Sequence, residues 1–141
     1  MKNLSAFKVI ISLVVFLRFG LFQRAHLILA QSGGTWKAPE EAKKIKNPLT
    51  PSQNILKAGN LIFSQQCAVC HGKTGKGNGI TAASLDPKPA NLTSEAVQKQ
   101  TAGEIFWKIQ HGRTPMPAFK KQLTEKQIWA VILYIRTLKK E

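Results

Sequence analysis

Along most of the chain apolar residues recur at intervals of three and four rather than two, which predicts amphipathic helices and few strands. The plainest case lies near the C-terminus. Ile128, Val131, Ile132 and Ile135 form one stripe, Thr124 is placed to cap it, Gln127 completes a capping box, and Leu123 can staple onto Ile128. Lys139 and Lys140 follow at the negative end of that helix's dipole. A second box, Thr101-Ala102-Gly103-Glu104, opens a helix through Ile105 to Gln110, with Gly112 as its stop. Further upstream, Thr50 as N-cap, Pro51 as first helical residue and Gln53 predict another helix. Ile55, Ala58 and Ile62 are its expected stripe, with Gly59 and Phe63 beside them. A short helix is expected from Ser94 to Gln100. Between these elements, residues 72–79 hold four glycines and residues 114–119 hold two prolines, so both read as loops. Residues 80–93, with Pro87 and Pro89, read as an extended loop. The expected fold class is all-α.

The first thirty residues follow a different pattern. Lys2 and Lys8 precede an apolar run from Val9 to Leu17, and charge returns at Arg18 and Arg24. That run is too short to span a bilayer, which takes about 20 residues. A basic start followed by a short apolar run predicts a secretory signal peptide over residues 1–30, with an uncleaved N-terminal anchor as the alternative. Residues 31–49, polar and punctuated by Gly33, Gly34, Pro39 and Pro48, read as a linker or N-terminal arm, which leaves residues 50–141 as the folded domain. Periplasmic or otherwise exported placement is expected, with membrane contact only if the N-terminal segment stays on.

Charge adds a constraint on partners. The chain carries 21 basic and 7 acidic residues, a formal +14. Four of those positive charges (Lys2, Lys8, Arg18, Arg24) and no acid lie in the first thirty residues, so the remainder carries +10. Outside the cytoplasm nucleic acid is not an expected partner. An acidic docking surface on another protein suits the charge better.

The chemistry concentrates at Cys67-Ala68-Val69-Cys70-His71. Two cysteines three apart, the second followed by histidine, match what covalent haem attachment requires. Both sulfurs lie on one turn and can reach the two vinyl groups on one haem edge, and the next residue offers its imidazole to the iron. A thioredoxin-like redox pair would need a βαβ setting, whereas this motif ends a helix and meets a glycine loop. A zinc site from Cys67, Cys70, His71 and His111 lacks a second Cys-x-x-Cys and closes a tetrahedron poorly. A Cys67–Cys70 disulfide would be small and strained. Gly72-Lys73-Thr74 imitates the end of a phosphate loop, but the position five before Gly72 is Cys67, not glycine.

For the sixth iron ligand the candidate is Met116, the only methionine besides Met1, 45 residues after His71 in the loop Arg113-Thr114-Pro115-Met116-Pro117. Flanking prolines stiffen a loop enough to aim a weak thioether ligand. His111 is the alternative, and packing into a core gap is the ordinary fate of a methionine.

A helix running into Cys-x-x-Cys-His, a late methionine loop and a final helix resemble the class I monohaem cytochromes c, over roughly residues 50 to 140. Gly59 and Phe63 stand eight and four places before Cys67, where that family carries a glycine and an aromatic, and Tyr134 matches the aromatic of its last helix. The resemblance implies a small all-α cytochrome c-like fold, with helices wrapped around one covalently bound haem c. It also implies a proline carbonyl, from Pro87 or Pro89, that accepts a hydrogen bond from the ring of His71. An iron held by His71 and Met116 has no open position, which argues for electron transfer between redox protein partners rather than an enzyme. Lys73, Lys76, Lys88, Lys120 and Lys121 lie in loops that can ring the haem edge. A haem c subunit of a larger redox complex and a haem-based ligand sensor are the competing functions.

Overall fold

Ser52, Thr101 and Thr124 each turn an extended residue into a helix start, because each side-chain oxygen accepts from a backbone N–H three residues on. The computed structural model describes residues 35 to 139. The expected signal peptide and Lys140 lie outside the described residues. The chain divides into two units, Met1–Trp36 and Lys37–Glu141, and the helices among the described residues belong to the second. These are α1 (Gln53–Ile62), α2 (Ala68–His71), α3 (Glu95–Gln98), α4 (Ala102–His111) and α5 (Glu125–Thr137), with 3-10 turns at Glu40–Lys44 and Ala82–Ser84. Apart from one isolated bridge, Arg113 to Met116, the described residues contain no β pairing. The fold is all-α, as expected.

The capping boxes at Thr101–Glu104 and Thr124–Gln127 are both reciprocal, side chain to backbone in each direction. The first helix differs from expectation. Its cap is Ser52, whose Oγ accepts from Ile55 N at 3.3 Å, so Pro51 stands outside the helix and Thr50 plays no capping part. Serine is the stronger of the two cap residues. Ala58 is exposed, and the buried face runs instead through Gly59, Ile62 and Phe63.

α5 is the hub. Ile128, Val131 and Ile132 are 0, 0 and 1% exposed, and Trp129 and Ala130 are buried as well, so this helix is covered on two sides. On one side α1 crosses it at Gly59. A methyl group on Gly59 would sit 2.2 Å from the Ala130 carbonyl oxygen, so only glycine permits this approach. Next to the crossing, Phe63 and Tyr134 rings tilt against each other with centroids 5.2 Å apart. On the other side α4 packs through Phe106, stacked on Trp129 at 4.0 Å with 9° between the planes. Burial of each large aliphatic at this junction contributes about 1.5–3 kcal/mol.

Residues 38–49 lie on this helical unit. Ala42, 1% exposed, sits over α4, where a Cβ on Gly103 would collide with the Ala42 and Ile45 carbonyls. Asn47 Nδ2 donates to the Trp129 carbonyl at 3.1 Å, and Leu49 packs against the core.

The α1–α5 crossing yields a test. Gly59→Ala should cost about 1–3 kcal/mol of unfolding free energy in the haem-loaded protein, the usual penalty of overpacking. Denaturant titration measures it, and a change within ±0.5 kcal/mol would mean that the helices have room to separate.

Candidate haem-binding site

The helix that begins at Gln53 does not stop at Ile62. It widens into a π turn over Phe63–Cys67, where Ala68 N bonds to the Phe63 carbonyl, and resumes as α2. Phe63 stays in the core at 1% exposure, while Cys67 and Ala68 pack against the core's edge. Nothing in the residue types announces the widened turn, although such turns are common at functional sites.

A helix end leaves its last four carbonyls without partners. Here residues 72–81 supply them. Gly72 N donates to Ala68 O (2.9 Å), Thr81 N to Val69 O (3.2 Å), Gly79 N to Cys70 O (3.0 Å) and Gly77 N to His71 O (2.7 Å). The loop thereby folds back over the Cys-x-x-Cys-His segment and holds it rigid.

Both cysteines are free and half-buried. Burial, and then the neighbouring Cys70, push the Cys67 thiol up to about 12. At neutral pH Cys67 is therefore a thiol and not a thiolate, the opposite of a disulfide-exchange nucleophile. Cys70 Sγ lies 3.3 Å from Thr81 Oγ1, which in turn donates to the Val69 carbonyl at 3.0 Å. Among the described residues no group of three or more His, Cys, Asp or Glu side chains is arranged to hold a metal ion, so the zinc arrangement has no counterpart.

His71 Nδ1 lies 2.9 Å from the Ala90 carbonyl oxygen. A carbonyl only accepts, so Nδ1 carries the proton and Nε2 keeps its lone pair. Burial lowers the His71 pKa and so favours the neutral ring, an effect that the bond to Ala90 partly offsets. The expected acceptor, Pro87 or Pro89, is not the one used. The Pro89 carbonyl faces Gly77, where a Cβ would stand 2.4 Å from it. The carbonyl that meets the ring is the next one, at Ala90. Ala90 was invisible to sequence reasoning because its side chain takes no part. The same holds for Thr81, whose role depends on a loop closing back over eleven residues.

Met116 is half-buried and packs against the same hydrophobic core as Cys67. Arg113 and Met116 exchange both backbone hydrogen bonds, at 3.0 and 2.8 Å, closing a tight turn. After the turn, Phe119 N and Lys120 N donate to the Ile109 and Gln110 carbonyls of α4, at 3.0 and 3.2 Å. Gly112, at φ 63° and ψ 175°, starts this return, and a Cβ there would lie 2.7 Å from the Met116 carbonyl oxygen. His111 is exposed, stacked on Trp107 at 4.3 Å and bonded through Nδ1 to the Trp107 carbonyl at 2.8 Å.

Two free sulfurs on one turn, a neutral imidazole with one nitrogen open, and a thioether sulfur on a braced loop fit a haem c donor set. Comparison with known proteins agrees. The family described as cytochrome c oxidase, cbb3-type, subunit III matches residues 54–135. Cytochrome c6 of Parathermosynechococcus lividus is 38% identical over 77 residues, covering 55% of this chain and 83% of the relative. That of Leptolyngbya boryana is 35% identical over 78 residues, covering 55% and 86%. This chain belongs to the class I monohaem c-type cytochromes. It binds one haem c and carries electrons. Two solved structures share the fold at 27% identity. A chain of the Kuenenia stuttgartiensis reducing HAO-like protein complex matches with a TM-score of 0.58 over 66% of this cytochrome, which spans only 47% of that chain. The KustC0563 c-type cytochrome matches with a TM-score of 0.51 over 58% of this chain and 98% of its own.

The return at Gly112 is open to measurement. A Gly112→Ala variant of this cytochrome should lose about 1–3 kcal/mol, since its backbone conformation is essentially restricted to glycine. Thermal unfolding of the loaded protein at unchanged Tm would show that the turn relaxes freely.

Proposed function

We propose that Cys67 and Cys70 hold the haem through thioether bonds, that His71 and Met116 are its axial ligands, and that the domain of residues 50–141 serves as an exported electron carrier. The observation that carries the ligand assignment is the His71 Nδ1–Ala90 O bond of 2.9 Å, which commits Nδ1 and leaves Nε2 for the metal. The group, when bound, supplies a one-electron Fe(II)/Fe(III) couple. The chain's own residues do the rest. The glycine loop holds the imidazole's helix still, and the bond to Ala90 fixes the ring's tautomer and raises its basicity. Met116, on a turn tied to α4, would supply the second protein ligand, and with both ligands in place the iron would have no position open to substrate.

Export rests on the basic start and short apolar run of residues 1–30, with residues 31–49 as the arm that follows. No helix among the described residues is long and apolar enough to cross a membrane.

The electron partner is proposed to present an acidic surface with an apolar centre. Val69 and Ile80 are 44 and 89% exposed, and Thr81 N, bonded to Val69 O, brings the two near one another beside Cys70. Lys73, Lys76, Lys88, Lys120 and Lys121 are all exposed, and none enters an ion pair seen among the described residues. An apolar contact with a cationic rim suits brief, steered docking.

Two measurements test these assignments. Met116→Ala should lower the reduction potential, abolish the Met–ferric charge-transfer band and leave a high-spin ferric iron that binds added ligands. An unchanged potential would move the sixth position to another residue such as His111, and a wild-type protein that already binds carbon monoxide readily would favour a ligand sensor. For docking, Lys73→Glu with Lys76→Glu should slow electron transfer to an acidic redox protein several-fold at about 0.01 M salt, where charges reach about 30 Å, and scarcely at about 1 M, where they reach about 3 Å. Equal slowing at both salts would locate the contact elsewhere.

A further inference from the structure

The bond between His71 and Ala90 is only as well placed as the segment that carries Ala90, and that segment has no regular structure of its own. Its anchorage is nevertheless complete. Leu92 N donates to the Gly75 carbonyl at 2.7 Å, tying the segment to the loop that follows His71. Asn91 Oδ1 accepts from Thr93 N at 3.0 Å and Thr93 Oγ1 at 2.8 Å, and the Asn91 carbonyl accepts from Ser94 Oγ at 2.7 Å. Those bonds are local and give the segment a shape. Two contacts fix it to the core of the fold: the Leu92 side chain, which packs there, and the Gln98 side chain. Its Nε2 donates to the Leu92 carbonyl at 2.7 Å and to the Ile135 carbonyl in α5 at 3.0 Å.

An amide nitrogen has two protons, and both are spent here, one on the segment and one on the hub helix. The Gln98 side chain is half-buried, so neither bond is readily replaced by water. Arg136, one residue after Ile135, serves the same junction differently. Its guanidinium donates to the carbonyls of Gln98 (2.9 Å), Val97 (3.4 Å) and Gln100, closing the C-terminal end of α3, and it makes no bond to residues 90–92. The two side chains thus separate holding α3 in place from holding the acceptor for His71.

We propose that Gln98 is a positioning residue for the iron's histidine. By hanging the Ala90–Leu92 segment from α5, it sets the strength of the His71 Nδ1–H to Ala90 bond and, through that bond, the reduction potential. The inference rests on the reading of His71 as an axial ligand. Weakening the bond makes the imidazole a poorer donor, which destabilises the ferric form and moves the potential upward.

The test uses the haem-loaded protein with Gln98→Met, which keeps the length and removes both donors, beside Arg136→Met. Voltammetry should show a raised potential in Gln98→Met and an unmoved one in Arg136→Met, although both lower the Tm. In NMR of the protein the His71 Nδ1 proton should exchange about five- to tenfold faster in Gln98→Met, as expected for one lost hydrogen bond. A lowered Tm with unchanged potential and exchange would overturn the proposal and leave Gln98 a structural brace. If the His71 ring of the wild-type ferric protein carries no hyperfine shift, the ligand reading itself fails, and the proposal with it. Should Gln98→Met not fold, wild-type exchange decides. The His71 Nδ1 and Gln98 Nε2 protons must then exchange with the same denaturant dependence, and different dependences would refute the link.

Discussion

The approach of two backbones at Gly59 and Ala130 governs much of what this molecule can be. Because a Cβ at Gly59 would come within 2.2 Å of the Ala130 carbonyl, the helix carrying the cysteines is held against α5 at backbone distance. The opposite side of α5 takes α4 through the Phe106–Trp129 stack, and the methionine turn leaves from the end of α4. The two parts of the proposed ligand set therefore share one rigid reference, although 45 residues separate His71 from Met116. A larger residue at the crossing would shift one part against the other, and a metal bond length tolerates little of that.

The second constraint is backbone satisfaction. A segment of four helical residues is far too short to be stable alone. α2 persists because it continues α1 through the π turn and because each of its carbonyls meets an N–H from residues 72–81. The same loop reaches Leu92 through Gly75, so the element that rigidifies the histidine's backbone also borders the segment that holds its ring. Burial then acts on the side chains in one direction: it keeps Cys67 a thiol and His71 neutral. A protonated Cys67 does not suit disulfide exchange, and a neutral His71 keeps the Nε2 lone pair that a metal needs.

Surface charge completes the reading. The ion pairs Lys43–Glu40 and Lys99–Glu95 each lie within a single helical turn and are exposed, so they add little to stability. The excess of lysine is instead left facing solvent, where its long-range field acts on approaching partners.

The sequence by itself determined the helical class, two reciprocal capping boxes, the glycine stop at Gly112 and the Cys-x-x-Cys-His pattern. These are set by neighbours within a few residues, and a capping oxygen or a thiol declares itself by its side chain. It also led to Gly59, Phe63 and Tyr134 as a likeness, which the crossing and the ring contact then gave a physical basis. What only the tertiary structure decided are matters of backbone and of distance. The acceptor for His71 is the carbonyl of Ala90 rather than of Pro87 or Pro89, because the course of the backbone, not residue type, chooses which oxygen faces the ring. The cap of the first helix falls on Ser52 rather than Thr50: both residue types can cap, and serine is the stronger. Gln98 reaches a helix 37 residues away, and a carboxamide offers no local pattern from which such a reach can be read.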